Sequence, residues 1–205
     1  MTRFWCFPRV APIDGESSDR EDDTGSHEGV RANQAEFQYG AANARLFELN
    51  ELIVATNNFD PQLVLGEGKL GRVYKGKLGY SQDVAVKKLK KNTKKSIQQE
   101  RAEFLAQVEM LSRLEHSNLV KLIGLHDNGD DLCFIYEFMP HRSLDLQLYG
   151  HEVGKKPLDW KTRMKIAKGV AKALQYLHDQ KDPPVLFGDL KASSILLMKI
   201  LIQNC

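Results

Sequence analysis

The chain has 205 residues, 42% of them hydrophobic and 27% charged, a balance that suits one or two small globular domains. Lysine and arginine number 29 against 27 aspartates and glutamates, so the formal net charge is +2 and no overall basic field argues for nucleic acid. Cys6, Cys133 and Cys205 are few, odd in number and far apart, which suits a reducing intracellular compartment better than a disulfide framework.

The opening MTRFWCFPRV holds too short an apolar patch for a secretory signal. Residues 1–44 are expected as a disordered arm. The stretch GESSDREDDTGS from Gly15 is polar, acidic and without aromatics, so burial cannot offset its ordering entropy. Residues 45–58 are expected as a lead-in helix, with Leu49, Leu52 and Ile53 as its stripe and Thr56-Asn57-Asn58 as its end. Residues 63–77 read as two strands around a glycine turn and 83–89 as a third. Lysines from Lys87 to Lys95 form a basic linker. Phe104, Val108 and Leu111, spaced i, i+4, i+7, predict an amphipathic helix over 96–114.

Residues 119–125 and 132–138 read as further strands. A long helix is predicted over 160–178, with Met164, Ala167, Val170, Ala171, Leu174 and Leu177 on one broad face and Pro183-Pro184 beyond its end. The most apolar run, Ile195 to Ile202, is too short to span a bilayer and carries Lys199. No repeat is visible. Strands with one helix, followed by helices, predict an α+β arrangement in two lobes.

Gly66-Glu67-Gly68-Lys69-Leu70-Gly71-Arg72-Val73 matches G-x-G-x-x-G-x-V. Glycines let a backbone approach phosphate oxygens closely. The motif alone leaves open a dinucleotide-binding turn, a hairpin folded over a nucleotide, and an ordinary glycine-rich hairpin. In the dinucleotide fold the third glycine opens a helix. Here Arg72-Val73-Tyr74-Lys75-Gly76 reads as a strand, which favours the nucleotide hairpin. Val84-Ala85-Val86-Lys87 follows at hairpin spacing. Side chains alternate along a strand, so Ala85 and Lys87 share one face while Val84, Val86 and Lys88 share the other. Ala85 leaves room for a base, Lys87 reaches toward α- and β-phosphates, and Val73 closes over the base.

These two motifs resemble the opening of the protein-kinase signature. The surrounding text narrows the match. Ala55-Thr-Asn-Asn-Phe59, Leu65-Gly-Glu-Gly68, Arg72-Val-Tyr-Lys-Gly76, His116-Ser-Asn-Leu-Val-Lys-Leu-Ile-Gly124, Tyr136-Glu-Phe-Met-Pro140 and Leu158-Asp-Trp-Lys-Thr-Arg163 are similar to the plant receptor-like cytoplasmic Ser/Thr kinases. The resemblance runs from about Phe47 to Leu197. It implies a protein-kinase-like α+β fold, with a complete β-rich N-terminal lobe and hinge over 59–140 and an incomplete helical C-terminal lobe over 141–205. It also implies ATP as cofactor, bound by Leu65, Gly66, Glu67, Gly68, Gly71, Val73, Ala85 and Lys87. Tyr136 then backs the adenine pocket, Glu137 and Met139 form the hinge that hydrogen-bonds the base, and Leu196 floors it.

Against that family the sequence departs at three places. Gln107 stands where the family has the glutamate that pairs with the strand lysine. In Phe187-Gly188-Asp189-Leu190-Lys191-Ala192-Ser193-Ser194, Asp189 matches the base that accepts the substrate hydroxyl proton and Lys191 matches the lysine that steadies the γ-phosphate. Gly188 replaces an arginine there, and Ser194 replaces the metal-binding asparagine. The family's Asp-Phe-Gly, whose aspartate holds magnesium, is not met before Cys205, so truncation after the catalytic loop is expected and no metal ligands are assigned.

With the lower lobe incomplete, part of the 160–178 helix is expected to face water. Thr2 rules out myristoylation at position 2, and Cys6 offers a single acylation site, too little for stable anchoring. The implied location is cytoplasmic, with a peripheral place at the plasma membrane as the alternative. The reading carried forward is an ATP-binding pseudokinase or kinase fragment in signalling, with receptor kinases or other signalling proteins as partners. Its rivals are an active Ser/Thr protein kinase and a non-enzymatic module that docks on a full-length kinase.

Overall fold

Eight strands and four helices appear in the computed structural model, which describes residues 2–4, 44–128, 131–149, 157–186 and 190–198. The strands are β1 (Thr2–Phe4), β2 (Arg45–Leu46), β3 (Val64–Gly68), β4 (Gly71–Leu78), β5 (Gln82–Leu89), β6 (Leu122–Asn128), β7 (Asp131–Glu137) and β8 (Ile195–Leu197). The helices are α1 (Leu49–Ala55), α2 (Ile97–Ser112), α3 (Leu144–Tyr149) and α4 (Trp160–Asp179). Six strands form one sheet in the order β2-β6-β7-β5-β4-β3, antiparallel throughout except for the β2–β6 pair. β1 and β8 form a separate antiparallel pair.

The alternation read from the sequence is what gives the large sheet its two cores. Residues directly opposite in an antiparallel ladder share a face. Val73 lies opposite Lys87 and Lys75 opposite Ala85, while β7 brings Phe134 opposite Lys87 and Tyr136 opposite Ala85. That face packs on α2 through Phe104, Val108 and Leu111. The other face buries Val84, Val86, Cys133 and Ile135 against Phe47 and the α1 residue Leu52. Burial pushes the Cys133 thiol up to about 12, so it behaves as a small apolar side chain.

Local signals explain where the helices begin. Ser96 accepts from the Gln99 backbone N–H at 3.2 Å, and the Gln99 side chain accepts from the Ser96 N–H at 3.2 Å, a reciprocal capping box. Asp159 caps α4 by accepting from the Thr162 N–H at 2.8 Å. Beyond α1, Asn57, Asn58 and Phe59 all take positive φ, which stops the helix where the asparagines predicted.

The lower core is smaller. Ile166, Val170, Ala173 and Leu177 of α4 pack with Leu119 and with Ile195 and Leu197 of β8. This corrects the stripe expected for that helix. Val170 and Leu177 are buried and Leu174 is half-buried, but Met164, Ala167 and Ala171 face solvent. Two apolar stripes run along α4, and among the described residues the one through Ile166 is covered. α3 was not expected from the sequence; its six residues are too few to show a period. Of the arm expected over residues 1–44, Thr2–Phe4 form a strand instead. Its acidic stretch lies outside the described residues.

Candidate functional site

The glycine hairpin is built by β3 and β4, joined at Lys69-Leu70, with Gly68 opposite Gly71. Its glycines do different work. Gly71 has φ +147°, and a Cβ there would run into the Lys88 carbonyl oxygen, so the fold itself demands glycine. Around Gly66 and Gly68 no other atom lies within 4 Å of where a Cβ would sit. The fold makes no steric demand there, and the backbone faces open space. Leu65 packs against the same core as Val73 and Ala85. Glu67 lies in the exposed part of β3 and pairs with Arg72 at 3.0 Å.

Lys87 lies across from Val73, on the face that holds Ala85 and Tyr136. It is only 5% exposed. Burial pushes its ammonium down from the ordinary 10.5 to about 7. Its neighbour Lys88 points the other way, pairs with Asp131 at 2.9 Å and lies over the Phe59 ring at 4.5 Å. Two adjacent lysines thus meet opposite environments because side chains alternate along β5. The sequence placed Ala85 and Lys87 on one face with Val73 closing over it, and the sheet sets Val73 opposite Lys87.

On α2, Gln107 is half-buried one position before the core residue Val108. The nearby carboxylates are engaged elsewhere: Glu103 pairs with Lys95, and Glu109 with Arg113 at 2.6 Å. Neither replaces a glutamate at position 107. At the end of β7, the Glu137 carboxylate accepts from the Lys121 N–H at 2.6 Å and also pairs with Arg3. Met139 is buried, and its carbonyl accepts from Arg142 N–H at 3.3 Å. Leu196, in the middle of β8, is half-buried between Ile195 and Leu197, which point the other way into the lower core.

Lys191 precedes a single 3-10 turn, Ala192–Ser194, and its carbonyl accepts from Ser194 N–H at 2.9 Å. Asp189 and Gly188 lie outside the described residues. Among the described residues, no group of three or more His, Cys, Asp or Glu side chains could hold a metal ion, and no helix is long and apolar enough to cross a membrane. Sequence reasoning missed Arg3 and the Lys121 backbone as partners of Glu137. The Arg3–Glu137 pair joins residues 134 apart, and no local pattern signals such a contact.

A glycine hairpin and a buried strand lysine on one antiparallel sheet, with a smaller helical lobe following in sequence, make up the protein-kinase architecture. The family model described as protein tyrosine and serine/threonine kinase matches residues 60–203, and the chain belongs to that family. The probable serine/threonine-protein kinase PBL25 of Arabidopsis thaliana is 54% identical over 155 residues, which is 75% of this chain and 40% of that protein. Serine/threonine-protein kinase PBS1 of the same plant is 50% identical over 159 residues, 77% of this chain and 34% of its own length. The probable kinase PBL7 aligns over 189 residues at 46% identity, 90% of this chain and 49% of its own length.

These relatives bear out the resemblance to plant receptor-like cytoplasmic kinases, and the chain spans 34–49% of the length of PBS1 and PBL7. In fold it is similar to a pseudokinase solved in the apo state, with a TM-score of 0.67 over 88% of this chain and 60% of that one, at 21% identity. Family membership implies use of ATP, with magnesium the usual accompanying ion.

Proposed function

We propose that this chain is an ATP-binding protein-kinase-like domain of the receptor-like cytoplasmic type whose phosphoryl transfer is impaired. The observation that carries the binding half is Lys87, buried on the Val73–Ala85 face behind a hairpin whose Gly66 and Gly68 leave open space. A buried ammonium whose charge is disfavoured by desolvation is suited to an anion. A phosphate placed beside it restores the charge that burial disfavours. Leu65, Val73, Ala85 and Leu196 would enclose the base, with Glu137 and Met139 presenting hinge backbone to its edge.

The impairment rests on substitutions in the sequence. Gln107 can hydrogen-bond Lys87 but brings no charge, and charge-assisted bonds are roughly twice as strong as neutral ones. Ser194 offers a shorter and weaker metal ligand than an asparagine amide, and Gly188 removes a cation beside the loop. Asp189 would accept the substrate hydroxyl proton and Lys191 would steady the γ-phosphate, so the acid–base parts remain while the electrostatic ones are weakened. Signalling partners, receptor kinases among them, and a cytoplasmic location belong to the same proposal.

The test is transfer of radiolabelled phosphate from ATP to a generic protein substrate, comparing wild type with Gln107→Glu/Ser194→Asn. The double variant is expected to transfer at least about tenfold faster, the equivalent of ~1.4 kcal/mol of recovered transition-state stabilisation. A wild type already as fast as the double variant would contradict the impairment and favour an active Ser/Thr kinase.

A further inference from the structure

The first residues of the chain meet its last described strand. Thr2, Arg3 and Phe4 pair with Leu197, Leu196 and Ile195 in antiparallel register. The pairing has a definite polarity. The Leu197 N–H donates to the Arg142 carbonyl at 2.9 Å, and its carbonyl accepts from His141 N–H at 3.1 Å. Backbone groups alternate sides along a strand, so those of Leu196 point the opposite way, toward β1. Arg3 and Leu196 are therefore the pair that exchanges backbone hydrogen bonds. Opposite residues share a face, so the Arg3 side chain leaves the sheet on the side of Leu196, away from the lower core. From there its guanidinium pairs with the Glu137 carboxylate, both side chains being 21% exposed. β1 also lies against α4.

We propose that β1 is an intramolecular clasp: it seals the edge of β8 in the lower lobe and, through Arg3, ties that lobe to the hinge, so that its docking regulates nucleotide binding. The regulatory step rests on the nucleotide-site reading, because Glu137 and Leu196 are hinge and floor only under it. The clasp itself rests on register and the ion pair alone. Glu137 is held from two sides, by Arg3 and by the Lys121 N–H, so Arg3 bears on the same carboxylate that fixes the end of β7. Loss of Arg3 leaves a half-buried carboxylate with one partner fewer. The clasp is built to release as well as to hold. Arg3 Nε is buried with no hydrogen-bond partner among the described residues, which offsets part of the gain from the ion pair. A docked strand of three residues is short, and one charge decides its fate.

The test uses the full chain. Amide hydrogen exchange is followed at Leu196 and, as an internal reference, at Val86 and Ile135, in wild type, Arg3→Ala, Arg3→Lys and the swap Arg3→Glu/Glu137→Arg. Arg3→Ala is expected to speed Leu196 exchange roughly tenfold while the reference amides keep their rates, as local opening requires. Arg3→Lys and the swap are expected to recover part of that protection. Unchanged Leu196 exchange in Arg3→Ala would overturn the clasp. In parallel, Mg-ATP affinity is expected to shift at least threefold between wild type and Arg3→Ala, in the range of ordinary coupling between sites. Equal affinities would overturn the regulatory step. A wild type that binds no ATP would instead sink the nucleotide-site reading, leaving the exchange data to judge the clasp.

Discussion

Lys87 shows how one side chain's surroundings set its chemistry. Its folded pKa of about 7 lies below the ordinary 10.5. Between those values the unfolded chain holds a proton that the folded chain lacks. Stability therefore rises with pH across that window, and the penalty of burying the charge is present in full below it. Melting temperatures recorded from about pH 6 to pH 10 should climb more steeply in wild type than in Lys87→Met, which has nothing to titrate there. Identical profiles would contradict a buried, depressed lysine. The same shift predicts that ATP binding near neutrality takes up protons, read as a buffer-dependent heat in titration calorimetry.

The glycines divide at the same scale. Gly71→Ala forces a Cβ into the Lys88 carbonyl and should destabilise the chain, whereas Gly66→Ala should leave unfolding within about 0.5 kcal/mol of wild type yet weaken ATP binding. Loss of stability from Gly66→Ala, with ATP affinity unchanged, would make that glycine merely structural. Lys87 was legible in the sequence because alternation along one strand fixes its face. Arg3 was not, because its partner lies across the fold.

At the scale of elements, β3, β4, β5, β7 and α2 fell close to where periodicity placed them, whereas β6 lies three residues later than expected and Arg45–Leu46, expected in the lead-in helix, pair with β6 as a strand. Phe104 is 1% exposed under the sheet, so Phe104→Ala should cost about 3–5 kcal/mol, measured by denaturant unfolding. Ser96→Ala removes one member of the capping box and should cost ~1 kcal/mol. α4 was legible in extent but not in orientation. Met164, Ala167 and Ala171 form one apolar stripe, while Ile166, Val170, Ala173 and Leu177 form another, roughly 120° away around the axis at 3.6 residues per turn. Periodicity reports that stripes exist; which of them is buried depends on where β8 and Leu119 lie, and those are set by tertiary contacts.

At the scale of the molecule, the two lobes are unequally supported among the described residues. The upper sheet is packed on both faces, while the lower core rests on α4, β8 and Leu119. Trp160 stays 74% exposed and Met164 44%. Amides of α4 should therefore exchange faster than those of β5 and β7. Equal, strong protection throughout 160–197 would contradict a weak lower lobe. The two-lobed plan was legible from the order of strands and helices; the closure of the chain's first residues onto β8 was not.

The central claim, a working nucleotide pocket centred on Lys87, is tested most directly by thermal unfolding with and without Mg-ATP, using Lys87→Ala as the control. A ligand at ~100 times its dissociation constant stabilises by about 2.7 kcal/mol. The account predicts a clear upward shift in wild type that vanishes in Lys87→Ala; a cooperative melt that ATP does not move would contradict it.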